Sequence, residues 1–163
     1  PLGDSGLAIE ARKQNWPIAD EHLENANKRF HFPSPRVAAG QVLRGIATSA
    51  IDISDGLLAD LSHILKQSGV GAVIHADKVP TSAALNSLNN DDIRLQLALA
   101  YGDDYELLFT VSDDNKSILE TKLQQYGVEP VCIGQVVNND SKLELLYHNQ
   151  TMPLPNIGFE HFS

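Results

Sequence analysis

The sequence predicts one α+β domain over residues 1–163, a mixed sheet with packed helices, on three observations. Apolar residues recur at helical spacing, most plainly in Leu57, Leu58, Leu61, Ile64 and Leu65. Short apolar or alternating runs at 49–53, 70–76, 105–111 and 131–137 read as strands. Asn138-Asn139-Asp140 lies between two such runs and reads as the turn of an antiparallel hairpin, with 143–147 as the return strand.

Taken in order, Asp4 or Ser5 caps a helix reaching Gln14, and a second helix covers 18–29. Pro33-Ser34-Pro35 breaks the chain, and Pro35 suits the first position of a helix carrying Val37, Ala38, Val42, Leu43 and Ile46. The 49–53 run is a short buried strand ending at Ser54-Asp55-Gly56. In the helix that follows, Asp60, Ser62, His63, Lys66 and Gln67 fall off the apolar stripe, and Gly69 stops it. A short helix at 82–88 and a longer one at 91–100 lead to a turn at Tyr101-Gly102-Asp103-Asp104 and the strand 105–111. Ser112-Asp113-Asp114 opens a helix that Gly127 ends.

Composition narrows function. Acidic residues outnumber Lys and Arg by 21 to 12, a formal charge of −9, so a phosphate backbone finds no basic footprint and nucleic acid is not an expected partner. Anionic ligands would need metal ions or backbone amides. The single cysteine, Cys132, forbids an internal disulfide and reads as core in an apolar strand. No apolar run approaches the roughly 20 residues that span a bilayer, and no signal-like segment opens the chain, so a cytoplasmic protein with no membrane partner is expected. Pro1 is not a natural initiator, so the chain is expected to begin inside a longer protein.

Two acidic segments can carry chemistry. In Ile51-Asp52-Ile53-Ser54-Asp55-Gly56, strand alternation sends Asp52 and Ser54 to one face, and Asp55 starts a helix. The two carboxylates suit a hard cation such as Mg²⁺. The helix N-terminal amides with the Ser54 hydroxyl suit a phosphate. Asp55 as a plain helix cap and Asp52 as a buried acid paired elsewhere is the competing reading. Gly102-Asp103-Asp104-Tyr105-Glu106 is a second acidic turn, equally readable as a solvated loop with Glu106 facing water. Arg36 reads as a phosphate contact or a surface ion pair. The six histidines show no zinc spacing with cysteine, and the P-loop pattern is absent.

Ser49-Ala50-Ile51-Asp52-Ile53-Ser54-Asp55-Gly56-Leu57 with Ala59-Asp60-Leu61 resembles the C-terminal-domain signature of the thiamine-monophosphate kinase family. Gly3-Asp4-Ser5, Pro33-Ser34-Pro35-Arg36, Asp103-Asp104-Tyr105-Glu106-Leu107 and Gly158-Phe159-Glu160-His161-Phe162 resemble it in the same order. The resemblance implies a two-domain kinase related to aminoimidazole ribonucleotide synthetase and selenophosphate synthetase. Its N-terminal domain, absent here, would form the homodimer and bring further metal ligands. The implied activity is ATP-dependent phosphorylation of thiamine monophosphate with Mg²⁺. By the same resemblance Asp52 and Asp55 would ligate Mg²⁺, Ser54 would contact ATP, and Asp103 and Phe159 would contact the thiamine substrate. Two departures stand out: Tyr101 replaces a family glycine, and Asp103 a glutamate one methylene longer. Another ATP-using synthetase of the same superfamily, or a non-catalytic binding domain, are the alternative readings.

Overall fold

In the computed structural model, residues 1–14, 16–139 and 142–155 are described. Seven helices and six strands alternate along them: α1 (Asp4–Gln14), α2 (Asp20–His31), α3 (Val37–Leu43), β1 (Ser49–Asp52), α4 (Leu57–Ser68), β2 (Gly71–His75), α5 (Ala83–Asn86), α6 (Asp91–Ala100), β3 (Leu107–Thr110), α7 (Asp113–Gln124), β4 (Gly134–Val137), β5 (Leu143–Tyr147) and β6 (Gln150–Met152). A single 3-10 turn, Ala76–Lys78, follows β2. The expected α+β class holds, with the strands divided between two sheets. β1 and β3 form an antiparallel pair, and β4-β2-β5-β6 form a mixed four-stranded sheet.

The hairpin expected at 138–140 does not form. β4 and β5 lie on opposite sides of β2, β4 antiparallel and β5 parallel to it. Ala72 and Ile74 of β2 are buried, so this strand is central, and both of its edges must be paired to satisfy the backbone. The sheet's hairpin is β5–β6, turned by His148 and Asn149 at φ 49° and 63°. Asn is among the residues that most readily tolerate that left-handed region.

Other boundaries move for local reasons. α2 starts at Asp20, where Asp20 and Glu21 put negative charge at its positive end. Pro35 stays outside α3, which starts after Arg36. Cys132 is exposed and precedes β4 rather than lying in it. Gly69, at φ 66°, ends α4 in the left-handed conformation that a glycine adopts without cost.

The larger core gathers Leu7 of α1, Leu57, Leu58, Leu61 and Leu65 of α4, Leu97 and Leu99 of α6, and Ile74 and Leu145 of the large sheet. A second core joins Ala39 and Leu43 of α3 to Leu119 and Leu123 of α7, against Leu107 and Phe109 of β3. α4 packs on both β1 and α6. The β1–α4 and α6–β3 connections therefore emerge side by side. Among the described residues, no helix is long and apolar enough to cross a membrane.

Candidate functional site

The two acidic segments are one structural unit. The Asp103 N–H donates to the Ser54 carbonyl at 2.9 Å, the Tyr105 N–H to Ile53 at 2.9 Å, and the Ile53 N–H to Glu106 at 2.8 Å. These bonds carry the β1–β3 ladder past its last pair, Asp52 opposite Leu107, into both turns. The approach needs two glycines. A Cβ on Gly102 would overlap the Ser54 carbonyl oxygen, and one on Gly56, at φ 115°, would lie 2.8 Å from the Ala100 carbonyl oxygen. Asp103 and Tyr105 both have positive φ, 62° and 50°, with Asp104 between them. Two non-glycine residues held in that region indicate a backbone fixed by its surroundings.

Asp104 supplies part of that fixation. Its carboxylate is buried and accepts the Gly3 N–H at 2.7 Å and the Ser5 N–H at 3.4 Å, tying the second turn to the start of α1. The Ser5 hydroxyl donates to the Asp103 carbonyl at 2.8 Å. Burial pushes Asp104 up to about 6, helped by the nearby charge of Asp4 and opposed by the two amides. Asp4, also buried, takes the Ser82 hydroxyl and lies 2.9 Å from Arg29 Nε, a charge contact without hydrogen-bond alignment.

Glu106 does not face water. Arg36 grips it through two bonds of 2.8 Å, and Arg29 adds one of 3.1 Å. Burial would raise Glu106, but Arg36, the Pro1 ammonium 3.5 Å away and Arg29 outweigh it and hold the carboxyl at about 2. Arg36 is thereby committed to an ion pair, the second of the two roles its sequence position allowed.

The outer face of the unit carries the predicted site residues. Asp52, Asp55 and Asp103 are exposed and Ser54 is half-buried. Asp52 is therefore not a buried acid, because β1 turns its Ala50–Asp52 face outward. Among the described residues, the Asp52 and Asp55 carboxylates take no hydrogen bond or ion pair. The Tyr105 hydroxyl donates to Asp103 at 3.1 Å. That bond raises the Tyr105 hydroxyl's pKa, and the charges of Asp103, Asp52 and Asp55 add to the effect. Phe159 lies outside the described residues.

Asp60 changes the reading of the first turn. It is buried, one helical turn into α4, and its Oδ2 accepts both the Ser54 N–H at 2.9 Å and the Asp55 N–H at 3.1 Å. Gly56, the helix N-cap, has no side chain, and Asp60 reaches back past it to the two residues that precede the helix. Burial pushes Asp60 above the ordinary carboxylate range, while the Asp55 and Ser54 amides pull it back. The Ser54 and Asp55 amides are consequently taken and add nothing to the expected phosphate cradle. What the turn offers outward is oxygen: two carboxylates and a hydroxyl.

Such hard oxygens suit Mg²⁺. Among the described residues, no group of three or more His, Cys, Asp or Glu could hold a metal ion. The donor set thus fits a cation that keeps several waters or shares phosphate oxygens, as Mg²⁺ does, and does not form an all-protein cage. Of the residues that support the site, Asp60 and Asp104 are hidden in sequence by their ordinary surroundings. The signal that touches Asp60 is its place in Ala59-Asp60-Leu61, within the segment that carries the family resemblance.

Neither sequence departure disturbs the backbone. Tyr101 has φ −91° and ψ 142°, which any residue adopts, and its ring packs against Gly6. At Asp103 the left-handed conformation suits Asp better than a longer acid.

Comparison with known proteins bears on the same unit. The family described as AIR synthase related protein, C-terminal domain, matches residues 2–145. The chain is 38% identical over 162 residues to thiamine-monophosphate kinase of Escherichia coli K12, covering 99% of this chain and 50% of that protein. The corresponding protein of Buchnera aphidicola subsp. Schizaphis graminum is 40% identical with the same coverage. The crystal structure of thiamine-monophosphate kinase from Stenotrophomonas maltophilia K279a superposes with a TM-score of 0.81 at 35% identity, over 88% of this chain and 47% of that one. The chain thus spans about half the length of the curated relatives it matches.

Proposed function

This chain belongs to the AIR synthase related protein family, as its C-terminal domain, and on that premise we propose that it is half of a two-domain, ATP-using thiamine-monophosphate kinase. One observation carries the reading: the fused turns gather Asp52, Ser54, Asp55 and Asp103 on one outward face whose two metal-type carboxylates have no partner among the described residues. The names of the relatives, and their doubled length, support the substrates and the second domain.

In this reaction an oxygen of the thiamine monophosphate phosphate attacks the γ-phosphorus of ATP. A new P–O bond forms, the bond to the β-phosphate bridge breaks, and ADP leaves with that electron pair. The attacking phosphate is already anionic near neutral pH, so no general base is required. Both reactants repel each other and an acidic protein, so positioning and charge neutralisation carry the catalysis. Bound Mg²⁺ would supply that neutralisation. Asp52 and Asp55 are the residues of this chain that would hold it. The Ser54 hydroxyl donates to a phosphate oxygen, since its own N–H is engaged by Asp60. Asp103, with Tyr105 on its carboxylate, faces the cationic thiazolium of the substrate, and the family resemblance assigns Phe159 to the same substrate. The N-terminal domain brings the remaining ligands and the homodimer contact, and the protein works in the cytoplasm.

The test is Asp52→Asn in the full-length protein. The expected result is a kcat lower by roughly two or more orders of magnitude and a higher Mg²⁺ requirement. Near-normal turnover at limiting Mg²⁺ refutes the assignment.

A further inference from the structure

A buried acid that faces no substrate sits behind the acidic turn. The Asp60 side chain is 2% exposed. It does not line the outer face, yet it receives two consecutive backbone amides on one oxygen. Consecutive amides pointing inward at a strand-to-helix turn form the concave nest that elsewhere binds phosphate. Here the protein's own carboxylate occupies it.

We propose that Asp60 is a positioning residue that sets the ion preference of the Asp52–Asp55 turn, acting as an internal anion that denies the turn's amides to phosphate and biases its outer oxygens toward a cation. This rests on reading the outer face as the metal-nucleotide side of the site.

Three features carry the inference. Ser54 and Asp55 immediately precede the Gly56 N-cap, so without Asp60 their amides would be free donors beside the positive end of a twelve-residue helix. An external phosphate oxygen would then compete for them. The Asp60 N–H itself donates to the Gly56 carbonyl at 2.9 Å, so the acid is locked to the turn from both sides. The second turn also presses on this backbone, because Asp103 bonds the Ser54 carbonyl at 2.9 Å. The peptide that displays the Ser54 and Asp55 side chains is therefore held at its N–H by Asp60 and at its C=O by Asp103. A rotation that turned the amides outward would break both bonds. With the Ser54 and Asp55 amides engaged, this turn meets a nucleotide through bound cations and the Ser54 hydroxyl, which favours the metal complex of the nucleotide over the free anion. The charge of Asp60, a turn behind the outer carboxylates, adds to their attraction for a divalent ion.

The test reads the turn directly, through the amide resonances of isotope-labelled full-length protein at pH 8, titrated separately with inorganic phosphate and with Mn²⁺. In the wild type Mn²⁺ broadens the resonances of residues 52–56, and phosphate moves none of them. In Asp60→Ala, phosphate shifts the Ser54 and Asp55 amides saturably and Mn²⁺ binds about tenfold more weakly, about 1.4 kcal/mol. Asp60→Asn fills the nest with a neutral oxygen, so it weakens Mn²⁺ to a similar degree without gaining phosphate. A folded Asp60→Ala protein whose amides ignore phosphate overturns the proposal. So does an Asp60→Asn protein with wild-type Mn²⁺ affinity, which serves if the alanine variant does not fold. Absence of Mn²⁺ broadening at 52–56 in the wild type removes the metal reading of the turn instead, and the phosphate arm still decides whether Asp60 seals the nest.

Discussion

Asp104 makes the stability of this protein fall as the pH rises above about 4. Its carboxyl ionises at about 6 in the fold, against a reference value of 3.8. The cause is burial first and the neighbouring Asp4 charge second, with the Gly3 and Ser5 amides pulling the other way. The folded state therefore binds the proton more tightly than the unfolded chain does. Its contribution is fully present below about pH 3.8 and is lost progressively until the pH passes about 6. A gap of about two pH units corresponds to about 3 kcal/mol in all, of which about 1.4 kcal/mol falls between pH 5 and 7.5. Asp104→Asn keeps the shape and one acceptor for Gly3 while removing the titration. Urea denaturation of both proteins across pH 5 to 7.5 gives a difference curve in which the histidines, common to both, cancel. The wild type should lose about 1.4 kcal/mol relative to the variant over that range. Parallel curves would refute the claim that Asp104 is held protonated by its burial.

Gly102→Ala should separate the two turns, because its Cβ overlaps the Ser54 carbonyl and forces out the Asp103 and Tyr105 amide bonds. A loss of about 2–4 kcal/mol in chemical denaturation is expected, and a loss under about 0.5 kcal/mol would show that the turns adjust freely. Arg36→Lys trades a two-pronged grip on Glu106 for a single donor. Because Glu106 is held down at about 2, its stabilisation is present above pH 4.5 and lost as the pH falls toward 2. The variant should be less stable by about 1 kcal/mol at pH 7, since Arg36 is partly exposed. The two proteins should converge in acid, and a gap unchanged at pH 2 would place the effect elsewhere.

Much of the chain is legible from local pattern. The α4 stripe, the Gly69 stop, α6 and the Ser112-Asp113-Asp114 start follow from spacing and turn chemistry, and the structure places them within a residue or two. Residue type and resemblance also single out Asp52, Ser54, Asp55 and Asp103, of which the structure exposes the three carboxylates. The site's supports were not legible. Asp60 reads as a surface position on a helical wheel, and only the approach of the turn backbone makes it buried and bonded. Glu106 reads as solvated, and only α2 and α3 bring Arg29 and Arg36 onto it. The hairpin at 138–140 failed because turn residues specify a bend but not which strand comes to lie alongside.

By itself the sequence determined the α+β class, most of the helices, the acidic balance and the residue types that display oxygen at the site, because propensity, periodicity and charge act over a few residues. Tertiary structure decided that the two acidic turns are one backbone-bonded unit. It also decided that the Ser54 and Asp55 amides are bound by Asp60 and that Arg29 and Arg36 converge on Glu106. Those outcomes depend on which groups burial brings together across up to about a hundred residues of chain, where each buried donor and charge must find a partner.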